Sequence, residues 1–150
     1  MKRSLIYMDN CCFNRPFDDL SNDKVRFESE SVLTIINYCE QDIWDLCSSD
    51  VLYDEIDRMD DIVKKEKVLT LYNSATVDIE INDNIIRRAS DLMQTNIRPF
   101  DALHIASAEA RHADIFLTTD KKLINASKRV KASVRITNPA IWIVETLYND

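Results

Sequence analysis

The sequence predicts an α/β fold in which helices cover both faces of a central parallel sheet. Short apolar segments of strand length alternate along the chain with longer segments of helical periodicity, as in repeated strand–helix units. The length of 150 residues suits one domain, and 45% hydrophobic against 30% charged residues is an ordinary globular balance. No apolar run approaches the roughly 20 residues of a membrane span. We therefore expect a cytoplasmic protein with a single domain over 1–150.

The first half of the chain begins with an apolar strand over 4–8. A helix over 24–39 follows, because its apolar residues recur at helical spacing, and 43–47 forms the next short strand. A helix over 50–63 comes next, with an apolar stripe formed by Leu52, Ile56, Met59 and Val63.

The second half continues the alternation. Helical patterns cover 65–73 and 82–95, joined by an extended stretch at 76–81 whose strand character stays open. Pro99 suits the first turn of a helix that runs to about His112. The remaining elements are an apolar strand over 114–118, a helix capped by Asp120, a short strand over 134–137 and a closing helix over 139–148.

Glycine is absent from the chain, where about ten residues would be average. Glycine-rich phosphate loops, the dinucleotide-binding turn and the nucleophile elbow of α/β-hydrolases all need glycine, so these classes are excluded. Side chains must therefore carry the chemistry. Other residues must also fill left-handed backbone positions, and Asn73, Asn96 and His112 are the candidates.

The four cysteines, Cys11, Cys12, Cys39 and Cys47, contain no C-x-x-C pair, and only two histidines accompany them. This pattern favours reduced, packed thiols over a disulfide framework or a zinc site.

The net charge of −7 argues by itself against a nucleic-acid-binding protein. The charge is unevenly distributed, however, because residues 40–61 hold nine acids and one base whereas 121–144 hold six bases and no acid. An acidic protein with this asymmetry can present one electropositive face to a phosphate group.

Acidic side chains stand at predicted strand ends, where open parallel sheets bind ligands. Asp9 and Asp120 follow two apolar strands and converge if those strands are neighbours, although each also suits a helix cap. Glu55 lies at the edge of the apolar stripe of its helix, and a solvated helix face is the alternative. Asp101 lies in the first turn of an alanine-rich helix, where interaction with the helix N-terminus is the alternative.

Four carboxylates drawn together would repel one another unless cations bind between them. An all-oxygen site favours Mg²⁺ or Mn²⁺, and two such ions would stabilise in-line attack of water on a phosphodiester. Asn10, Thr118 and Thr119 stand beside two of the acids and could hold waters or a ligand oxygen. His104, about 60° around the helix from Asp101, is interpreted as a packed histidine.

Four segments occur in the order IYMDN, SSDVLYDEI, RPFDALHIASA and IFLTTDKKL. In this order and spacing they resemble PIN-domain proteins, specifically the small VapC-like ribonucleases that are toxins of type II toxin–antitoxin pairs. The resemblance spans nearly the whole chain, and NCCFNRPFDD is similar to a subgroup of small PIN proteins. It implies a three-layer α/β/α fold, endoribonuclease activity on RNA with Mg²⁺ or Mn²⁺, a homodimer and an antitoxin protein that blocks the site.

The same resemblance implies which residues form the site. The acids carried over as catalytic and metal-binding are Asp9, Glu55, Asp101 and Asp120, and Thr118 matches a hydroxyl position near the pocket. The segment 15–30 is longer than the family pattern, so Arg15 or Asp18 could line the site.

Two other interpretations remain open. The acidity of the chain favours a PIN-like binding or regulatory module without physiologically relevant nuclease activity. An aspartate at the first strand end is also typical of phosphatases of the haloacid-dehalogenase type. That family needs a second aspartate where this chain has Cys11, so we place it last.

Overall fold

A five-stranded, all-parallel sheet lies at the centre of the computed structural model, which describes residues 3–148. Its strands are β1 (Leu5–Met8), β2 (Asp45–Ser49), β3 (Val77–Ile79), β4 (Ile115–Leu117) and β5 (Ile136–Thr137). They are ordered β3-β2-β1-β4-β5 across the sheet, with helices flanking it. The predicted α/β class is confirmed, and the stretch at 76–81 does contain a strand.

Helices connect the strands throughout the described residues. They are α1 (Asn10–Asn14), α2 (Asp23–Glu40), α3 (Asp50–Asp57), α4 (Ile62–Tyr72), α5 (Asp83–Met93), α6 (Pro99–Ala110), α7 (Lys121–Ser127) and α8 (Pro139–Tyr148), with a short 3₁₀ helix at Arg15–Phe17. Among residues 3–148, no helix has the length and apolar character needed to cross a membrane.

The predicted helix over 50–63 is wrong in its second half. It ends at Asp57, and a new helix begins at Ile62 because the Asp61 side chain caps it, accepting a hydrogen bond from the Lys64 N–H at 3.0 Å. Val63 is consequently 64% exposed rather than part of the apolar stripe. Asp61, an acid of the acidic run 40–61, is therefore the N-cap of a helix.

Strand β1 lies in the middle of the sheet, between β2 and β4. The chain builds the sheet outward from β1 to β3 on one side, then returns to place β4 and β5 on the other side. The strand order therefore reverses between β1 and β4, and the carboxyl ends of these two strands form the crevice where such sheets bind ligands. The Asp9 N–H donates to the Leu117 carbonyl at 2.9 Å, which extends their pairing to the crevice.

The core is formed mainly by the central strands and the helices packed on them. Ile6, Tyr7 and Met8 of β1 and Phe116 and Leu117 of β4 are fully buried, as continuous apolar strands covered on both faces should be. The four cysteines carry free thiols, three of them buried, as expected for reduced, packed thiols.

Left-handed backbone positions occur without glycine at Asp42 (φ 61°), Asn96 (φ 67°) and His112 (φ 58°). Asn96 and His112 are confirmed by this result. The prediction for Asn73 is wrong, because it ends α4 in a right-handed conformation with φ −67°. Asp42 supplies the unpredicted turn just after α2, consistent with the tolerance of aspartate for this region.

Candidate metal centre

A cleft of about 700 Å³ opens at the carboxyl ends of β1 and β4. The four acids singled out from the sequence all line it, although they come from different elements: Asp9 after β1, Glu55 in α3, Asp101 in α6 and Asp120 before α7. The structure therefore brings the four carboxylates together. Of the other candidates, Asn10, Arg15 and Asp18 also line the cleft, whereas the buried Thr118 and Thr119 do not appear in its wall.

Thr118 lies behind two of the acids and connects them. Its hydroxyl donates to Oδ2 of Asp9 at 3.0 Å and accepts a hydrogen bond from the Asp120 N–H at 3.1 Å. Both hydrogen-bonding directions of this fully buried hydroxyl are used, so Thr118 sets the position of the acids. The Thr119 backbone N–H donates to the Cys11 sulfur at 3.3 Å.

Asp9 and Asp120 each cap a helix and face the cleft at the same time. Oδ1 of Asp9 accepts from the Asn10 N–H at 2.7 Å, and Oδ1 of Asp120 accepts from the Lys122 N–H at 2.9 Å. The predicted cap at Asp120 is thus confirmed. In both residues the other carboxylate oxygen, Oδ2, takes no part in the cap. A role as helix cap is therefore compatible with a role in the site.

Asp101 carries the clearest electrostatic sign of crowding in the cleft. Burial raises the pKa of its carboxyl to about 6, and the nearby charge of Asp9 adds to the rise. His104 and Arg98 act in the opposite direction without cancelling it. Burial beside another carboxylate therefore makes ionisation of Asp101 unfavourable.

His104 is the residue whose part in the site the sequence analysis missed. It is fully buried, as expected of a packed histidine, yet its Nε2 forms a hydrogen bond with Oε1 of Glu55 and lies 3.7 Å from Oδ1 of Asp9. One ligand atom from each of these three residues lies within 4.8 Å of the others. Its position three residues after Asp101, on an adjoining part of the α6 surface, was the available signal.

The cleft is also lined by basic side chains that are paired with carboxylates. Arg15 donates to Oε1 of Glu28 at 2.8 Å and to Oδ2 of Asp18 at 3.0 Å, while the Lys64 ammonium lies 2.8 Å from Oδ1 of Asp18. Glu28 is 1% exposed and also accepts from the Asn138 amide. The longer segment at 15–30 therefore does contribute side chains to the cleft.

The donors of the cleft fit a divalent cation. Carboxylate oxygens are the ligands preferred by Mg²⁺ and Mn²⁺, and a cation among them would offset the burial and the repulsion by Asp9 that raise the pKa of Asp101 to about 6. Ligand atoms of Asp9, Glu55 and His104 lie within 4.8 Å of one another, and Asp101 and Asp120 line the same cleft.

Comparisons with known proteins agree with the fold. The model of the PIN domain family matches residues 23–129. The fold is similar to VapBC2 from Rickettsia felis, solved bound to a DNA fragment from its promoter, with 14% identity, a TM-score of 0.59, and coverage of 89% of this chain and 98% of that chain. It is also similar to PAE2754 from Pyrobaculum aerophilum, with 10% identity, a TM-score of 0.54, and coverage of 97% and 90%, respectively.

A search of curated protein sequences returned no match. The family model nevertheless covers most of the chain, including the helices that carry Glu55, Asp101 and the cap at Asp120. The chain belongs to the PIN domain family, whose members are typically metal-dependent nucleases.

Proposed function

We propose that this protein is an endoribonuclease that uses Mg²⁺ or Mn²⁺ to hydrolyse phosphodiester bonds of RNA in the cleft. Its catalytic and metal-binding residues are Asp9, Glu55, Asp101 and Asp120. The observation that carries the proposal is the convergence of these four carboxylates around one opening, with the Asp101 pKa raised to about 6. Such a cluster is unfavourable alone and favourable around cations.

The residues at the cleft have different roles in the proposed reaction. When bound, a divalent cation stabilises the negative charge that develops on the phosphate and makes water a better nucleophile. Thr118 holds Asp9 and Asp120 at a fixed separation, so two of the carboxylates are placed before any ligand arrives. One of the four carboxylates orients the attacking water.

Basic side chains near the acids support a polyanionic substrate. Arg15, Lys64 and Arg98 line the main cleft. A second cleft of about 470 Å³ shares Arg98 and Asp101 with it and is also lined by Lys122 and Arg129. These last two belong to the basic segment 121–144, so a phosphate chain that crosses both clefts meets positive charge on each side of the acids.

The direct test is cleavage of single-stranded RNA with Mn²⁺ or Mg²⁺, comparing the unaltered protein with Asp9→Asn. We expect cleavage that needs the metal and is lost in the variant, since the amide cannot replace the carboxylate charge. Equal cleavage by both proteins would contradict the assignment. Asp19→Asn, an exposed acid after the 3₁₀ helix, is the matched control and should cleave normally.

We further propose a toxin-like role with an antitoxin protein as partner. The support is similarity of fold to the VapBC2 complex. A neighbouring gene for a small DNA-binding protein that co-purifies with this chain and inhibits cleavage is the expected result. A stand-alone gene with no inhibitory partner would count against it.

Our remaining proposals concern the state of the chain in the cell. We propose that residues 1–150 form a single domain, because β1 and β5 lie outside the matched residues 23–129 yet belong to the same sheet. We also propose that the protein is cytoplasmic and forms a homodimer. Light scattering of the purified protein tests the homodimer, because it measures the mass of the particle.

A binding or regulatory module is the second candidate function. The net charge of −7 favours it, as does the pairing of Arg15 and Lys64 with carboxylates, which reduces their charge toward RNA. Calorimetric titration with Mn²⁺ separates the two. Millimolar or absent affinity together with retained partner binding would favour the module, whereas tighter binding that needs Asp9 favours the nuclease.

A further inference from the structure

We propose that His104 is a positioning residue that holds Glu55 in the metal centre, and that a buried hydrogen-bond relay through Tyr7 to Ser49 sets the tautomer of its ring. The catalytic meaning of this role rests on the proposed function. The relay itself is a property of the folded chain and can be tested without RNA.

The relay runs from the cleft into the core. Nε2 of His104 meets Oε1 of Glu55, and Nδ1 lies 2.6 Å from the Tyr7 hydroxyl oxygen. That oxygen lies 2.8 Å from Oγ of Ser49. His104 and Tyr7 are both fully buried, and Ser49 is 1% exposed, so water does not compete for these groups.

The direction of the relay follows from its end at Glu55. A carboxylate oxygen accepts hydrogen bonds, so Nε2 of His104 donates to it, and Nδ1 of a ring with its proton on Nε2 accepts from the Tyr7 hydroxyl. Oγ of Ser49, which accepts the Leu52 N–H at 3.1 Å as the cap of α3, donates its own hydrogen to the Tyr7 oxygen. In the reverse direction an unprotonated Nε2 would face the carboxylate of Glu55, which is repulsive.

The relay explains how Glu55 is held. A glutamate side chain loses rotamer entropy when it is fixed, and 25% of the Glu55 side chain is exposed. The Nε2–H of a buried, immobile ring is a donor with only one orientation, and it fixes one carboxylate oxygen while the second remains available to the cleft. Hydrogen bonds to ligand residues of this kind typically change metal affinity by 10- to 100-fold.

The tautomer can be observed directly, because the chain has only two histidines. We would record long-range ¹H–¹⁵N correlations of the metal-free protein near neutral pH, with the exposed His112 as internal reference. The expected spectrum shows His104 with an unprotonated Nδ1 and a protonated Nε2. Tyr7→Phe should weaken this preference and allow some of the other tautomer, because only Glu55 then favours a proton on Nε2. A proton on Nδ1, or on both nitrogens, would overturn the proposed relay.

Metal affinity tests the positioning role. By calorimetry with Mn²⁺, we expect His104→Leu to weaken binding about tenfold or more, and His104→Gln, which keeps an N–H near the place of Nε2, to recover part of the loss. His112→Gln is the control and should bind as the unaltered protein does. Unchanged affinity in a folded His104→Leu protein, judged by circular dichroism, would overturn the proposal.

If His104→Leu does not fold, Tyr7→Phe carries the test, because it removes one hydroxyl from the relay and keeps the ring. The expected result is Mn²⁺ binding several-fold weaker, and unchanged affinity would overturn the proposal. Weaker metal binding in a protein that never cleaves RNA would count against the proposed function alone. RNA cleavage by the unaltered protein with normal metal affinity in the variants would count against the relay alone.

Discussion

The cleft is lined by two groups of residues, called here the acidic wall and the basic wall, which differ in how their charges are paired. The acidic wall consists of Asp9, Glu55, Asp101 and Asp120, and the basic wall of Arg15 and Lys64 with their partners Asp18 and Glu28. On the basic wall each cation lies within 3.0 Å of a carboxylate oxygen. On the acidic wall the carboxylates neighbour one another, and burial together with Asp9 raises the pKa of Asp101 to about 6.

The difference shows which wall is complete without a ligand. The paired charges of the basic wall stabilise the folded chain as it stands, and Glu28 ties that wall to the start of α8 through Asn138. On the acidic wall, ionisation of Asp101 is unfavourable in the metal-free fold, and a bound cation would offset that cost. Neutralising one residue on each wall should therefore change stability in opposite directions.

Asp101→Asn should give the largest effect. We expect RNA cleavage to fall at least about 100-fold, because a ligand for charge stabilisation is lost. The melting temperature of the metal-free protein should rise, because the substitution removes a carboxylate that is unfavourably ionised at neutral pH. Cleavage assays and thermal unfolding in a chelator measure the two quantities.

Asp83→Asn is the matched control for Asp101→Asn, because Asp83 is an exposed acid in the first turn of α5. It should leave cleavage unchanged and lower the melting temperature slightly, since it loses a favourable helix-terminus interaction. A fall in stability for Asp101→Asn, like that of the control, would contradict the contrast between the walls.

The pH dependence of metal-free stability should show the same contrast. The pKa of Asp101 is raised from 3.8 to about 6, so between these pH values the folded protein holds a proton that the unfolded chain has released. The contribution of Asp101 to the free energy of unfolding therefore decreases as the pH rises from about 4 to about 6, and it is constant outside that window.

Urea unfolding in a chelator across this range, compared between the unaltered protein and Asp101→Asn, isolates the contribution. The difference in free energy of unfolding should change within the window and then level off. A difference that does not vary with pH would show that the Asp101 carboxyl is not perturbed in solution.

Glu28→Gln tests the basic wall. We expect the free energy of unfolding to fall by about 2 kcal/mol, because the Arg15 guanidinium keeps only Asp18 as a close charged partner in a partly buried place. RNA binding should weaken as Arg15 loses its fixed position. Glu30→Gln, exposed on the same helix, is the control and should change neither quantity. Equal stability of both variants would show that the pair contributes nothing.

The residues of the acidic wall could be predicted because each of them is identified by its neighbours in the sequence. Asp9 and Asp120 follow two apolar strands that do pair in the sheet, and the RPFDALHIASA segment locates Asp101. Glu55 was distinguished from the other acids of its helix because it lies at the edge of the apolar stripe. The same acidic run concealed the cap at Asp61, so the helix was extended too far.

The basic wall was largely hidden because its pairs are distant in sequence. Arg15 and Glu28 are 13 residues apart, and Lys64 and Asp18 are 46 apart, so no helical or strand periodicity relates them. His104 was hidden for another reason. A histidine in an apolar helix is predicted to be a core residue. Only the fold shows that its two ring nitrogens contact Tyr7 and Glu55.

Arg98→Gln should have the smallest effect on stability and RNA binding among these substitutions. Arg98 bridges the two clefts, yet its side chain is 72% exposed and lies 3.3 Å from Asp120 and 3.7 Å from Asp101, so its ion pairs contribute at most about 1 kcal/mol to stability. Its contribution should appear in RNA affinity instead. In an Asp9→Asn background, fluorescence anisotropy with single-stranded RNA across a salt series should show a slope reduced by about 0.7, the value for one lost phosphate contact. Arg87→Gln is the control, because Arg87 is exposed on α5 and bonds Asn84 rather than a cleft acid. Equal slopes for the two variants would mean that Arg98 neutralises the acidic wall without contacting substrate.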